Sequence, residues 1–472
     1  MTRLRRVKPN SYTLMTLSAL LSVIYQRFMY LVYSLLTFVV FIVASPYFLY
    51  QALRYHKYTG SLHQRLGYLP ISFNMDGEES IWIHAVSVGE ALTARALAAD
   101  LKARYPRLRL FLSTTTVAGQ QVARRSLRHV DAVFYFPFDW TFIVRRTLNL
   151  VKPRLFIMME TEIWPNLLRE CRERGIKTVM INGRISSRSY PRYRLIRAFF
   201  RRVLGDVDRF CMQSEESARR LIELGADASR VTMTGSLKFD SLEIPTPSPH
   251  GKPRERVLRF FCFSPTRTVI VAGSTMRGEE TAVLRALVRV KATTPNAIAV
   301  LAPRQPERFG EVERLARDMG FVTMKRSELP IDAEPRAEVI VLDSIGELAQ
   351  LYQLATAVFV GGSLVNHGGH NILEPAIFGK PIVFGPHMQN FQEIADAFLA
   401  NDAAVQVQSD RELDDALIAL ATDPVRRARL GAAARALVEA NRGAKKKTLA
   451  VIAAVLPAPA EGAVIRPFRL VH

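Results

Sequence analysis

The stretch IWIHAVSVGEALTARALAADLKARYPRLRLFLS, residues 81–113, holds a whole unit of a parallel sheet. Ile81–Ala85 is a short apolar run, Gly89–Arg104 repeats its apolar residues with the helical period, and Leu108–Ser113 is apolar again. Strand, helix and strand in this order make a βαβ unit with parallel strands. Outward from it the alternation continues. Further strands are expected at Val133–Phe136, Leu155–Met159, Thr178–Ile181, Phe210–Gln213 and Val231–Thr234. In the second half they fall at Thr268–Ala272, Ala297–Leu301, Val322–Met324, Val339–Leu342, Ala357–Val360, Pro381–Phe384 and Ala404–Val407. Helix-period segments such as Glu279–Val290 lie between most of them. Fourteen strands exceed one comfortable open sheet and suit two of about six or seven. Ile244–Arg256, IPTPSPHGKPRER, is rich in proline and charge and reads as the linker between them. The expected fold class is α/β, with ligands beyond the carboxyl ends of the strands, in a cleft between two domains.

Composition agrees with large cores. Of 472 residues, 49% are apolar, which argues against wholesale disorder. Lys and Arg number 64 against 43 Asp and Glu, a formal net charge of +21. That excess calls for an anionic partner: nucleic acid, an anionic membrane surface or a phosphorylated substrate. Cys171, Cys211 and Cys262 are far apart and form no CxxC or Cys/His cluster. This argues against a disulfide scaffold or structural zinc, and suits a reducing compartment.

From Phe28 to Leu53 the chain carries no charged residue, in FMYLVYSLLTFVVFIVASPYFLYQAL. About twenty apolar residues suffice to cross a bilayer as a helix, so this segment is long enough to span. Tyr30, Tyr33, Tyr47 and Tyr50 lie towards its ends, where such rings prefer the headgroup level. The run is too long for the apolar part of a cleaved signal peptide. Basic residues flank it on both sides, so charge leaves its orientation open. Pro46 offers a break that would leave a one-leaflet insertion instead. A second amphipathic stretch, PRYRLIRAFFRRVL at Pro191–Leu204, puts Ile196, Phe199, Phe200 and Val203 on one helical stripe. It suits either the membrane interface, with its arginines on lipid phosphates, or packing on the sheet.

Six stretches carry candidate chemistry. In HAVSVGE, His84–Glu90, a strand end leads to a glutamate at the opening of a helix. Glu90 there is placed to accept a proton, or else to complement the helix terminus. In METEIWPN, Met159–Asn166, Glu160 and Glu162 follow an apolar strand, and period-two spacing would put them on one side. Capping is the alternative for either, and Pro165 suits the first turn of the next helix. TGSLKFD, Thr234–Asp240, carries Lys238 at a strand end, as a functional or a solvated lysine. In GSTMRGEE, Gly273–Glu280, a strand leads through small residues to a helix, leaving backbone N–H groups to hold a phosphate. Arg304 of APRQPERF follows another strand and suits bidentate binding of phosphate or carboxylate. Last, GGSLVNHGGHNILEPAIFGKPIVFGP, Gly361–Pro386, has two glycine pairs, a helix opening near Asn371 and Glu374 one turn in, an acceptor for ribose hydroxyls. His367 and His370 have HxxH spacing but no evident third ligand, so no metal site is expected.

Together HAVSVGE, METEIWPNL, NGRISSRS, TGSLKFD, APRQPERF, DSIGEL and GGSLVNHGGHNILEPA resemble, in order and context, the motifs of the 3-deoxy-D-manno-octulosonic acid (Kdo) transferases, glycosyltransferase family 30. The resemblance runs from about Phe28 to about Val451. It implies a GT-B fold, two Rossmann-like domains facing a cleft behind an N-terminal membrane helix. It implies transfer of Kdo from CMP-Kdo to the lipid A precursor (lipid IVA) at the cytoplasmic face of the bacterial inner membrane, without a metal or other cofactor. Carried onto this chain, the general base is Glu90, and the transition-state stabilisers are Glu160 and Lys238. The CMP contacts are Pro303 and Arg304, then Ile345, Gly346 and Glu347, then Asn371, Ile372, Leu373 and Glu374. The implied organisation is a basic leader at 1–27, an anchor at 28–53, an acceptor domain at 54–243, a linker at 244–256, a donor domain at 257–430, and a C-terminal helix and tail at 431–472.

The expected reaction is a direct displacement that inverts the anomeric centre and needs one base. Lys238 and Arg304 would offset the charge of the Kdo carboxylate and departing CMP. The basic surplus then meets a phosphorylated acceptor and an anionic leaflet, and no nucleic acid. A GT-B transferase or epimerase using a UDP-sugar is the rival enzyme, separable by offering both donors. A membrane-anchored nucleic-acid binder rests on charge alone and lacks an RNA-binding aromatic motif or a zinc finger.

Overall fold

The computed structural model describes residues 11–55, 59–126, 129–187, 189–242, 264, 266–329 and 335–457. The expected linker, Ile244–Arg256, and the first ten residues of the leader lie outside them. The chain divides into two compact units: Met1–Ser241 with Gly443–His472, and Leu242–Arg442.

The first unit begins with helix α1 (Ser11–Tyr55). Its sheet comprises β1 (Ser80–His84), β2 (Arg109–Thr114), β3 (Ala132–Tyr135), β4 (Pro153–Met159), β5 (Lys177–Gly183), β6 (Arg209–Met212) and β7 (Val231–Met233). All are parallel, in the order β3-β2-β1-β4-β5-β6-β7. Helices cover both faces, which is why the strands read as continuous apolar runs. Alternate residues still part company: Trp82, Phe111 and Phe156 enter one core, while Ile81, Ile83, Leu110, Leu112 and Ile157 enter the other. Helices α2 (Val88–Arg104) and α3 (Pro165–Glu173) follow β1 and β4.

The stripe at Pro191–Leu204 is not one helix. It breaks at Ile196 into α4 (Tyr190–Leu195) and α5 (Arg197–Leu204). Phe200, Val203 and Leu204 are buried in the first core, and Phe199 packs against it, while Leu195 and Ile196 are exposed. A four-residue stripe cannot stay on one face across such a break, so most of it serves the sheet.

Helix α1 runs unbroken through Pro46 and starts inside the expected leader. Proline removes the N–H that would reach the carbonyl four residues back. The Ser45 hydroxyl donates to that carbonyl, Ile42 O, at 2.7 Å and replaces the missing bond. Within the apolar run, a polar stripe faces the domain. The Tyr30 hydroxyl donates to Asp206 at 2.8 Å and the Tyr33 hydroxyl to Asp139 at 3.0 Å. Asn166 donates to Ser34 Oγ at 3.0 Å, and the Trp140 indole to Thr37 Oγ1 at 3.2 Å. Phe41 meets Phe138 and Trp140 edge-on. Leu31, Leu35, Leu36, Val39, Val40 and Val43 point away and are exposed. Arg27–Tyr50, mean hydropathy 2.2, is long and apolar enough to cross a membrane.

The second unit holds β8 (Val269–Thr275), β9 (Ile298–Pro303), β10 (Thr323–Lys325), β11 (Val339–Val341), β12 (Ala357–Val360), β13 (Ile382–Phe384) and β14 (Val405–Gln406). These too are all parallel, ordered β10-β11-β9-β8-β12-β13-β14. Helix α6 (Glu279–Thr293) follows β8, and the short α7 (Leu373–Ala376) lies beyond β12. The unit does not end near residue 430. Helix α8 (Pro424–Ala440) stays in it, and its Gly431 sits so close to Gly379 that a Cβ would fall 2.0 Å from the Gly379 oxygen. Helix α9 (Ala444–Val455), within the stretch expected as C-terminal helix and tail, packs on the first sheet through Ala444 and Ile452. Asp240 secures its start, accepting the N–H groups of Gly443 and Lys445 at 2.9 and 2.7 Å.

Candidate active site

In both sheets the strand order reverses direction at one point, between β1 and β4 and between β8 and β12. Such points open crevices at the carboxyl ends.

At the first, Ser87 caps α2 and Glu90 closes a capping box. Ser87 Oγ accepts the Glu90 N–H at 3.4 Å, and the Ser87 hydroxyl donates to Glu90 Oε1 at 2.9 Å. The Val86 N–H donates to Glu90 Oε2 at 2.8 Å. Glu90 thus caps the helix while being only 8% exposed. Burial, and then the charge of Glu160, push its pKa up to about 7, against the pull of those hydrogen bonds. A carboxylate of that affinity suits proton abstraction near neutral pH.

Glu160 leaves β4, the neighbour of β1. Its N–H donates to Ile181 O at 3.0 Å, and its φ of +53° turns the chain at once. Strand periodicity therefore does not extend to Glu162, yet the turn brings Glu162 back to the same site. Burial and then the charges of Glu90 and Glu160 push the Glu162 pKa up to about 7. Three carboxylates meet where the family resemblance implied a role for two.

His84, at the end of β1, is fully buried, stacked 3.8 Å from Phe136, with Nε2 3.9 Å from Glu162 Oε2. A lone histidine in an apolar strand gave no sign of this. Lys238 is half-buried in the turn after β7. Asn182 holds that turn to the end of β5, accepting the Leu237 N–H at 2.9 Å. The buried Asp139 sets the start of α3, accepting the N–H groups of Asn166 and Leu167 at 3.0 and 2.8 Å.

In the second unit Arg304 follows β9, its N–H donating to Thr275 O at 3.0 Å, with Pro303 closing the strand. Its positive charge acts on His370 and on Glu374. Burial raises the Glu374 pKa, and Asn371 Nδ2 donates to it at 3.1 Å. Asn371 Oδ1 accepts the Leu373 N–H at 3.1 Å and opens α7, while the Ile372 and Leu373 side chains are buried. Arg304, Asn371 and Glu374 therefore form one electrostatic group. Ile345, Gly346 and Glu347 follow β11, on the far side of β9 from the β8/β12 crevice. Ile345 is 86% exposed, and Glu347 is paired with Arg326 at 3.2 Å.

The turn GSTMRGEE does not keep its N–H groups for a phosphate. The Met276 N–H donates to Glu279 at 2.8 Å. The same fully buried carboxylate accepts Gly362, Ser363 and Leu364 N–H at 2.7, 3.0 and 2.9 Å. Glu279 thus fills the place of an anion and shapes the glycine-rich loop from a distant part of the chain. Among the described residues, no group of three or more His, Cys, Asp or Glu is arranged to hold a metal.

Two seven-stranded parallel sheets of this kind define the GT-B class of sugar-nucleotide enzymes. UDP-GlcNAc 2-epimerase from Neisseria meningitidis shares the fold, with a TM-score of 0.53 at 13% identity, over 79% of this chain and 99% of that one. A family profile described as 3-Deoxy-D-manno-octulosonic-acid transferase (kdotransferase) matches residues 60–241. The 3-deoxy-D-manno-octulosonic acid transferase of Haemophilus influenzae is 33% identical over 83% of this chain and 91% of its own. That of Bordetella pertussis is 32% identical over 78% and 86%. The chain belongs to the Kdo transferase family, and it is a glycosyltransferase of lipopolysaccharide biosynthesis.

Proposed function

We propose that the enzyme moves Kdo from CMP-Kdo to the lipid A precursor, lipid IVA, with inversion at the anomeric carbon. Glu90 removes the proton from the acceptor hydroxyl as that oxygen attacks and CMP departs. One observation carries this reading: a buried carboxylate held in a capping box, its pKa raised to about 7 beside Glu160. Glu160 and Lys238 stabilise the transition state. Pro303, Arg304, Asn371, Ile372, Leu373 and Glu374, together with Ile345, Gly346 and Glu347, form the CMP site. Positive charge for the departing CMP comes from Lys238 and Arg304, and no metal or other cofactor takes part.

The site works at the cytoplasmic side of the bacterial inner membrane, on an anionic leaflet. The packing of α1 supports insertion into one leaflet. Its face from Tyr30 to Phe41 is taken up by the domain. The residues beyond, 42–53, reach about 18 Å as a helix, short of the roughly 30 Å of a hydrocarbon core. Lipid then meets the outer face, Leu31 to Val43, and the exposed side chains beyond it, Tyr47, Phe48, Leu49, Tyr50 and Leu53.

The test offers CMP-Kdo or UDP-sugars with lipid IVA to the purified full-length protein, with and without a chelator. A product heavier by Kdo from CMP-Kdo alone, unaffected by chelation, is expected. Turnover of a UDP-sugar instead would overturn the proposal.

A further inference from the structure

At the neighbouring carboxyl ends of β4 and β5, two residues other than glycine turn left-handed: Glu160, with φ +53°, and Asn182, with φ +54°. Such backbone is costly for most side chains, although asparagine bears it better than most. Asn182 is also fully buried. Its Oδ1 accepts the Leu237 N–H at 2.9 Å, which fixes the amide's orientation, since a donor needs an acceptor. Its Nδ2 then has no hydrogen-bond partner in the described structure. A buried donor left unpaired weakens a fold. Stability alone does not account for such a residue, and strain of this kind gathers at functional sites.

The groups that Asn182 joins do account for it. The preceding residue, Ile181, accepts the Glu160 N–H at 3.0 Å, and the Asn182 carbonyl accepts Gln213 Nε2 at 2.8 Å. Leu237 immediately precedes Lys238, and the Lys238 carbonyl accepts the Ser241 hydroxyl at 2.8 Å, closing the turn. Two adjacent residues of β5 therefore hold the peptide of Glu160 and the turn that carries Lys238.

We infer that Asn182 is a positioning residue for Kdo transfer: it sets the turn bearing Lys238 against the strand end bearing Glu160. The inference rests on the reading of Glu160 and Lys238 given above. Groups that stabilise a transition state act best when they are in place before it forms. Lysine is a point charge on a flexible stem, so its placement depends on the backbone beneath it.

The experiment is a double-mutant cycle between Asn182 and Lys238, read as kcat for Kdo transfer by the full chain. Asn182→Gly keeps the left-handed backbone and removes the acceptor. Its kcat should fall by about 10-fold, the scale of a modest misplacement, with CMP affinity unchanged by calorimetry. Exchange of the Leu237 amide should quicken in the same variant. Lys238→Ala should lose about 100-fold. Adding Asn182→Gly to it should cost less than about 2-fold more, because the group being positioned is gone. Losses that multiply in the double variant, or wild-type kcat in Asn182→Gly, overturn the inference. Asn182→Asp, its carboxyl kept neutral by burial, offers the same acceptor and should keep most of the rate. It carries the test if Asn182→Gly fails to fold: a loss as large as that of Lys238→Ala would overturn the inference. Wild-type turnover in Lys238→Ala would be a failure of the functional reading itself, and the inference would fall with it.

Discussion

Ser87 and Glu90 hold each other across the first turn of α2, the hydroxyl donating to Oε1 at 2.9 Å while its oxygen accepts the glutamate N–H at 3.4 Å. The bond to the carboxylate favours its ionised form and opposes the rise caused by burial. Because the Glu90 pKa is raised, the base is present above about pH 7 and is lost as pH falls through that value. Transfer should therefore decline on acidification through neutrality. Ser87→Ala removes one donor to the charged form, so the acidic limb should move to higher pH. A pH–rate profile reads both.

Arg304 and Glu374 belong to one electrostatic group at the second crevice. Arg304→Ala and Glu374→Ala should each weaken CMP binding by about 1.5–3 kcal/mol, the scale of charge-assisted hydrogen bonds. Calorimetry on the full chain measures this. Unchanged affinity in both would move the donor elsewhere.

Glu279 satisfies five backbone N–H groups from two separate loops. Glu279→Ala leaves these donors buried and unpaired, at a cost of at least about 3 kcal/mol. Chemical unfolding should show that loss, and CMP affinity should fall with it as the glycine-rich loop loosens.

Much of this was legible in the chain because strands buried on both faces must be apolar end to end. The strand cores from Ile81–Ala85 to Ala404–Val407 each appear in the sheets, with ends shifted by up to three residues. Glu90 was legible for a related reason, since a strand end followed by a helix opening is a local pattern. Glu279 was not: its partners at Gly362–Leu364 are distant in sequence, and a buried carboxylate reads locally as one more acidic first turn. The same holds for α9, whose place on the first sheet depends on Asp240, far back in the chain. Nor did the uncharged run of α1 disclose that Tyr30, Tyr33, Ser34 and Thr37 form the stripe that binds it to the domain.

Insertion of the outer face of α1 predicts a side-specific effect. Leu35→Glu with Val39→Glu should release the protein from anionic vesicles, since charged groups at hydrocarbon depth are costly. Tyr33→Phe removes one bond to Asp139 and leaves that face apolar, so vesicle binding should persist. Flotation of both variants reads this outcome, and retained binding of Leu35→Glu with Val39→Glu would show that this face does not enter the bilayer.

The most direct measurement is turnover of Glu90→Gln with CMP-Kdo and lipid IVA, alongside calorimetry of CMP on the same protein. Glutamine is close in size to glutamate but cannot accept the hydroxyl proton as a carboxylate does. Retained CMP affinity with transfer reduced by about 100-fold or more is the predicted result, the scale of general base catalysis. Transfer at the wild-type rate, with CMP still bound, would contradict the account.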